Sequence, residues 1–165
     1  RKSQIANLPV GFCGTSQGAA SAILAAARCP AVAAVAVECP YASWGTTLFY
    51  ALQSYAHLPP FLARPGAWLI ARTLELRLGF HAADADPARA VAAIAPRALF
   101  VIHGPRDPYI PMSEVQRLFD AAGEPKELWV LTEAGHTQAL ELRPAEYEQK
   151  VIAFFDRWLL TNRAE

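Results

Sequence analysis

The chain has 165 residues, the length of one ordinary domain, so a single domain is expected, and 53% of them are apolar against 18% charged, which argues against disorder. Its 15 basic residues balance 15 acidic ones, so an electrostatic grip on nucleic acid or on an anionic membrane is not favoured. Leu8 to Cys13 is a short apolar run ending at Gly14, the pattern of a strand buried on both faces. Ser16 to Arg28 is small, Ala-rich and free of proline, which suits a helix packed closely on a sheet, and Pro30 ends it. Val32 to Val37 reads as a second buried strand, broken by Glu38-Cys39-Pro40. From Tyr41 to Leu78 two helical pieces flank His57-Leu58-Pro59-Pro60, and Pro87 to Ile94 reads as a short helix. Pro96 introduces a third strand, Ala98 to Ile102. Met112 to Ala122 is helical with Gly123 as its stop, Glu127 to Leu131 is a fourth strand, and Pro144 to Leu160 is an amphipathic helix.

Strands alternating with helices of this length predict βαβ units and a mostly parallel sheet flanked by helices, an α/β fold. Cys13, Cys29 and Cys39 are odd in number and lack C-x-x-C spacing. They make neither a disulfide framework nor a zinc site, which points to a reducing, cytoplasmic setting. No charged segment followed by a short apolar core opens the chain, so no signal peptide is read. The uncharged stretch from Cys39 to Ala63 is interrupted by Ser43, Thr46, Thr47, Gln53, Ser54 and His57 and closed by two prolines. It does not read as a membrane span. No motif calls for a metal or a cofactor.

The sharpest motif is Gly14-Thr15-Ser16-Gln17-Gly18, where an apolar strand gives way to a small-residue helix. A serine at such a turn must take a strained backbone to project its Oγ. Glycines two positions either side relieve crowding, and the Gln17 N–H at the helix start would face a developing oxyanion. The bland alternative is a helix N-cap at Ser16. Asp107 follows the third strand in His103-Gly104-Pro105-Arg106-Asp107, and His136 follows the fourth in Ala134-Gly135-His136. A serine nucleophile needs an imidazole base, and the imidazole needs a carboxylate to fix its tautomer. Both residues fall beyond C-terminal ends of strands, where ligands bind in open parallel sheets. Asp107 could instead be a turn residue, and His136 a loop histidine. Glu38, at the end of the second strand, is a rival acid, though bracing of the following segment fits it better. His103 reads as a strand-end residue bonding backbone groups, and Cys13 as a small buried hydrophobe rather than a nucleophile. His57 and His81 have no placed partner.

These motifs, with Glu38-Cys39-Pro40-Tyr41-Ala42-Ser43 and the Pro144-x-x-Tyr147 helix start, resemble the C-terminal portion of an α/β-hydrolase-fold serine hydrolase, from the nucleophile elbow onward. The resemblance covers nearly the whole of 1–165. It implies Ser16 as nucleophile, His136 as base, Asp107 as acid and acyl transfer to water, with carboxylic esters as substrates, or thioesters. A serine exopeptidase of prolyl-oligopeptidase type shares the triad order. Residues 41–87 stand where the family carries a helical cap, and their aromatics either line a pocket or bury the insertion. The family's N-terminal strands, and the loop carrying its second oxyanion donor, have no counterpart here. Strand 8–13 is therefore expected to be an open apolar edge: either the sequence is a fragment of a longer polypeptide, catalytically weak by itself, or the edge pairs with another chain such as a second copy.

Overall fold

The computed structural model describes residues 8–160. Four strands, β1 (Val10–Thr15), β2 (Val32–Glu38), β3 (Ala98–His103) and β4 (Lys126–Val130), lie side by side in chain order. Every adjacent pair is parallel. The helices are α1 (Gln17–Arg28), α2 (Trp44–Tyr55), α3 (Pro60–Leu78), α4 (Pro87–Ala90), α5 (Met112–Ala121), α6 (Ala139–Leu142) and α7 (Pro144–Phe155). The expected α/β architecture is present, and among the described residues no helix is long and apolar enough to cross a membrane.

The continuous apolar runs of β2 and β3 follow from helices covering both faces of the sheet. Val35, Val37, Leu99 and Val101 point to one side, where α1 and α5 supply Ile23, Val115 and Leu118. Ala34, Ala36, Phe100 and Ile102 point to the other, where Phe154 of α7 tilts against Phe100 at 5.4 Å between ring centroids. Small residues of α1, including Ala19, Ala22 and Ala26, are buried against the strands. Alanines let the helix approach the sheet closely.

One side chain ties the ends of several elements together. Arg97, just before β3, donates through Nε to Ile94 O, through Nη1 to Ala26 O, Cys29 O and Val32 O, and through Nη2 to Ala93 O, all at 2.8–3.1 Å. The planar guanidinium thereby satisfies carbonyls at the C-terminal end of α1, at the start of β2 and in the turn before β3.

Several boundaries differ from the sequence reading. β1 runs two residues later than expected, because Gly14 and Thr15 still pair with Val37 and Glu38 and the chain turns only at Ser16. The 87–94 segment is a single α-turn continued as a 3-10 turn, and the last helix changes to a π-turn at Asp156–Leu160. Among the described residues β1 stands at the sheet margin with β2 on one side only. Leu8 and Val10 are nearly half exposed there.

Candidate active site

The site forms above the C-terminal ends of β1, β3 and β4. At Ser16 the backbone takes φ 52° and ψ −119° as strand turns into helix, a region that costs a non-glycine residue about 1–3 kcal/mol. The Ser16 N–H donates to Glu38 O at 2.8 Å, which fixes the turn to the end of β2. Gly14 is needed because a Cβ there would run into the Gly18 carbonyl. The same reasoning does not extend to Gly18, where an added Cβ meets nothing within 4 Å among the described residues. Although Ser16 occupies the N-cap position of α1, its side chain makes no capping bond.

Its Oγ lies instead 2.9 Å from His136 Nε2, and His136 Nδ1 lies 2.6 Å from Asp107 Oδ2. The structure thus brings together the three residues that sequence order singled out. The Asp107 side chain is fully buried, and its second oxygen accepts the N–H groups of Tyr109 and Ile110 at 2.8 and 3.0 Å. Burial alone would raise this carboxyl, but the His136 hydrogen bond and the two backbone N–H groups outweigh it and hold the pKa below its ordinary value. An ionised carboxylate only accepts, so the proton sits on Nδ1 and Nε2 is left to accept from the serine hydroxyl. Two glycine-bearing loops make this possible. A Cβ on Gly104 would overlap the Ala134 carbonyl, and Arg106 N–H donates to that carbonyl at 3.1 Å, which joins the Asp107 loop to the His136 loop.

Gln17 is the first residue of α1, where N–H groups lack intrahelical acceptors. Its side chain accepts the Tyr41 hydroxyl at 3.0 Å. A cavity of about 130 Å³ beside Ser16 and His136 is lined by Thr47, Ala51, Tyr55, Tyr109 and Ile110, with no charged wall. Tyr55 of α2 stacks on Tyr109 at 4.7 Å and 9° between ring planes, and Tyr109 meets the His136 ring edge-on at 5.2 Å. Ser54 Oγ donates to Pro108 O at 2.7 Å, so the end of α2 is fastened to the Asp107 loop. The insertion's aromatics therefore divide. Tyr55 lines the site, whereas Phe49, Tyr50 and Trp68 line a separate cavity of about 450 Å³ between α2 and α3. His57 and His81 line no part of the Ser16 cavity.

Two sequence readings change, those of Glu38 and Cys13. The carboxylate bonded to His136 is that of Asp107, whereas the Glu38 carboxylate accepts the Ala139 N–H at 3.0 Å. It braces the chain just after His136, not the segment that follows Glu38. His103 is, as expected, a strand-end residue bonding backbone: it is fully buried at the end of β3 and its carbonyl accepts the Leu131 N–H at 2.9 Å, while its ring nitrogens have no partner in hydrogen-bond geometry. Burial pushes that imidazole below its usual pKa, toward the neutral form. Cys13 is exposed, not buried. Cys39, His103 and Asp107 bring one donor atom each within 4.8 Å of one another. The set suits a metal poorly. Asp107 is already engaged, and burial, reinforced by the neighbouring carboxylates, pushes the Cys39 thiol up to about 12.

No protein-family model matches the chain. It is 32% identical over 149 residues to the uncharacterized protein YqkD of Bacillus subtilis (strain 168), an alignment that covers 89% of this chain and 48% of that protein. The Pyrococcus furiosus esterase Pf2001 superposes with a TM-score of 0.65 at 25% identity, over 90% of this chain and 53% of the esterase. The esterase domain of a Rhodothermus marinus protein superposes at 0.64 and 21% identity, over 92% and 61% respectively. The chain has a partial α/β-hydrolase fold and spans about half the length of the relatives it matches.

Proposed function

We propose that the chain is a serine hydrolase cleaving small, uncharged carboxylic esters, with thioesters as a second class, through an acyl-enzyme on Ser16. The observation that carries this is the continuous Ser16–His136–Asp107 hydrogen-bond chain beside an uncharged cavity. His136 Nε2 takes the Ser16 proton as Oγ bonds to the ester carbonyl carbon. The resulting imidazolium is stabilised by Asp107 and returns its proton to the departing alcohol as the carbon–oxygen bond breaks. Water, deprotonated by the same nitrogen, then attacks the acyl-enzyme, releases the carboxylic acid and restores Ser16. The Gln17 backbone N–H is one donor to the oxyanion. Losing a single donor costs about 2.7–4 kcal/mol, so full activity needs a second, which the resembled family places on a loop before the elbow.

Thr47, Ala51 and Tyr55 come from α2, so residues 41–87 act as a cap closing the acyl side of the site. The cavity beside Ser16 is small, about 130 Å³, which favours short acyl groups. The test is active-site labelling with a fluorophosphonate probe. Label on Ser16 that disappears in Ser16→Ala supports the reading, and a folded chain that takes no label overturns it. The second reading is an inactive half-domain that assembles through strand 8–13, favoured by the one-sided pairing of β1.

A further inference from the structure

We infer that Glu38, with Cys39 beside it, is a positioning residue of this hydrolase, locking the loop that carries His136 to the turn that carries Ser16; the inference rests on the serine-hydrolase reading. Two adjacent residues at the end of β2 touch both catalytic segments. Glu38 O accepts the Ser16 N–H at 2.8 Å. Glu38 Oε1 accepts the Ala139 N–H at 3.0 Å, three residues beyond His136, and Cys39 Sγ accepts the Thr137 N–H at 3.4 Å, one residue beyond it. Cys39 N–H in turn donates to Ile102 O, which anchors this pair to β3.

Such anchoring answers a physical need. Cys39 and Thr137 both hold positive φ, 51° and 53°, conformations that persist in non-glycine residues only where surrounding bonds over-determine them. The loop reaches the site from β4, two strands from β2 in the sheet. Nothing in the fold otherwise requires a carboxylate 3% exposed at the end of an apolar strand, and Asp107 already serves the imidazole. Glu38 faces His136, Asp107, Cys39, Cys13 and Tyr147. Burial in this company pushes its pKa up, while the Ala139 N–H and His136 oppose the rise. A displacement of about 1 Å at a reacting group can cost on the order of 100-fold in rate, so the brace acts on kcat through His136.

The test measures ester hydrolysis and hydrogen exchange in the full chain. Glu38→Leu keeps the volume and removes the acceptor, and Glu38→Gln keeps an acceptor oxygen. Glu38→Leu should lower kcat by about 10- to 100-fold with KM within twofold and speed exchange over residues 134–142 but not over β3. Glu38→Gln should restore kcat to within about threefold of the parent. If Glu38→Leu fails to fold, Cys39→Ala, which removes the Thr137 acceptor at a buried position, should still speed exchange at 134–142 and not over β3. Unchanged kcat and unchanged exchange in Glu38→Leu, or in Cys39→Ala where it stands in, would overturn the brace. Hydrolysis surviving Ser16→Ala overturns the hydrolase reading alone, since the exchange measurement reads the brace without activity.

Discussion

Ser16 Oγ and His136 Nε2 stand 2.9 Å apart across 120 positions of chain, and the serine reaches that place only by holding φ at 52°. The hydroxyl has a local alternative, capping the N–H groups of α1, and does not take it. Backbone strain and a forgone cap are both costs to folding, and a nucleophile is the reading that accounts for them together. Ser16→Ala should abolish ester hydrolysis while leaving the melting temperature unchanged or raised. Asp107→Asn, which permits the wrong imidazole tautomer, should lower kcat by on the order of 10⁴-fold. Steady-state kinetics beside thermal melts check both.

The buried carboxyl groups of Asp107 and Glu38 respond to pH with opposite signs. Asp107 is held below its ordinary pKa, so its contribution to stability is present above the unfolded value and is lost as pH falls through the folded one. Glu38 is pushed above its ordinary value. The folded state then holds this proton more tightly than the unfolded chain, and stability declines as pH rises from the unfolded value near 4.5 through the folded one. Glu38→Gln removes that decline. Melting curves should show the variant more stable than the parent at pH 8 and the two converging near pH 4. A constant difference across that range would assign the effect to packing.

Sequence patterns carried the sheet and the meeting of Ser16, Asp107 and His136 at one place, for a physical reason. β2 and β3 are unbroken apolar runs because helices cover both faces, and Ser16, Asp107 and His136 each follow a strand end, where side chains are released from pleat geometry. Glu38 was visible only as a carboxylate near the site. Its partner is an amide 101 positions away, and backbone hydrogen bonds leave no trace in side-chain pattern. Arg97 was wholly silent, since an arginine before a strand looks the same whether it faces water or five carbonyls.

Arg97 should therefore matter more than its half-buried position suggests. Hydrogen bonds to charged groups contribute about 1.5–3 kcal/mol each in favourable cases, and here one guanidinium serves carbonyls of three segments, at the end of α1, the start of β2 and the turn before β3. Arg97→Ala should destabilise the fold by about 3 kcal/mol. Arg97→Lys should recover less than half of that, because a single ammonium cannot span the same acceptors. Denaturant unfolding gives both values.

Tyr55 sets the size of the acyl group in the proposed reaction. It closes the cavity beside Ser16 by stacking on Tyr109, and 69% of its surface is exposed, so truncation opens the site outward without hollowing the core. Tyr55→Ala should shift the preferred p-nitrophenyl ester from two to four acyl carbons toward six or more, with Ser16 labelling retained. An unchanged chain-length profile would place the acyl group elsewhere.

The margin of the sheet makes a prediction of its own. Among the described residues β1 is paired only through β2, and Val10 at its start and Leu8 just before it are 47% and 46% exposed. A strand with one unpaired side and apolar, uncharged residues is a template for another strand. Proteins blunt such edges with lysine or proline, and none occurs from Val10 to Thr15. The 165-residue chain should therefore associate in solution, and Val10→Lys should shift it toward monomer by placing a charge where a second strand would pack. Light scattering coupled to size-exclusion chromatography reads the mass directly. A folded, monodisperse monomer for the parent chain would remove strand 8–13 as an assembly surface, and with it the half-domain reading of this protein.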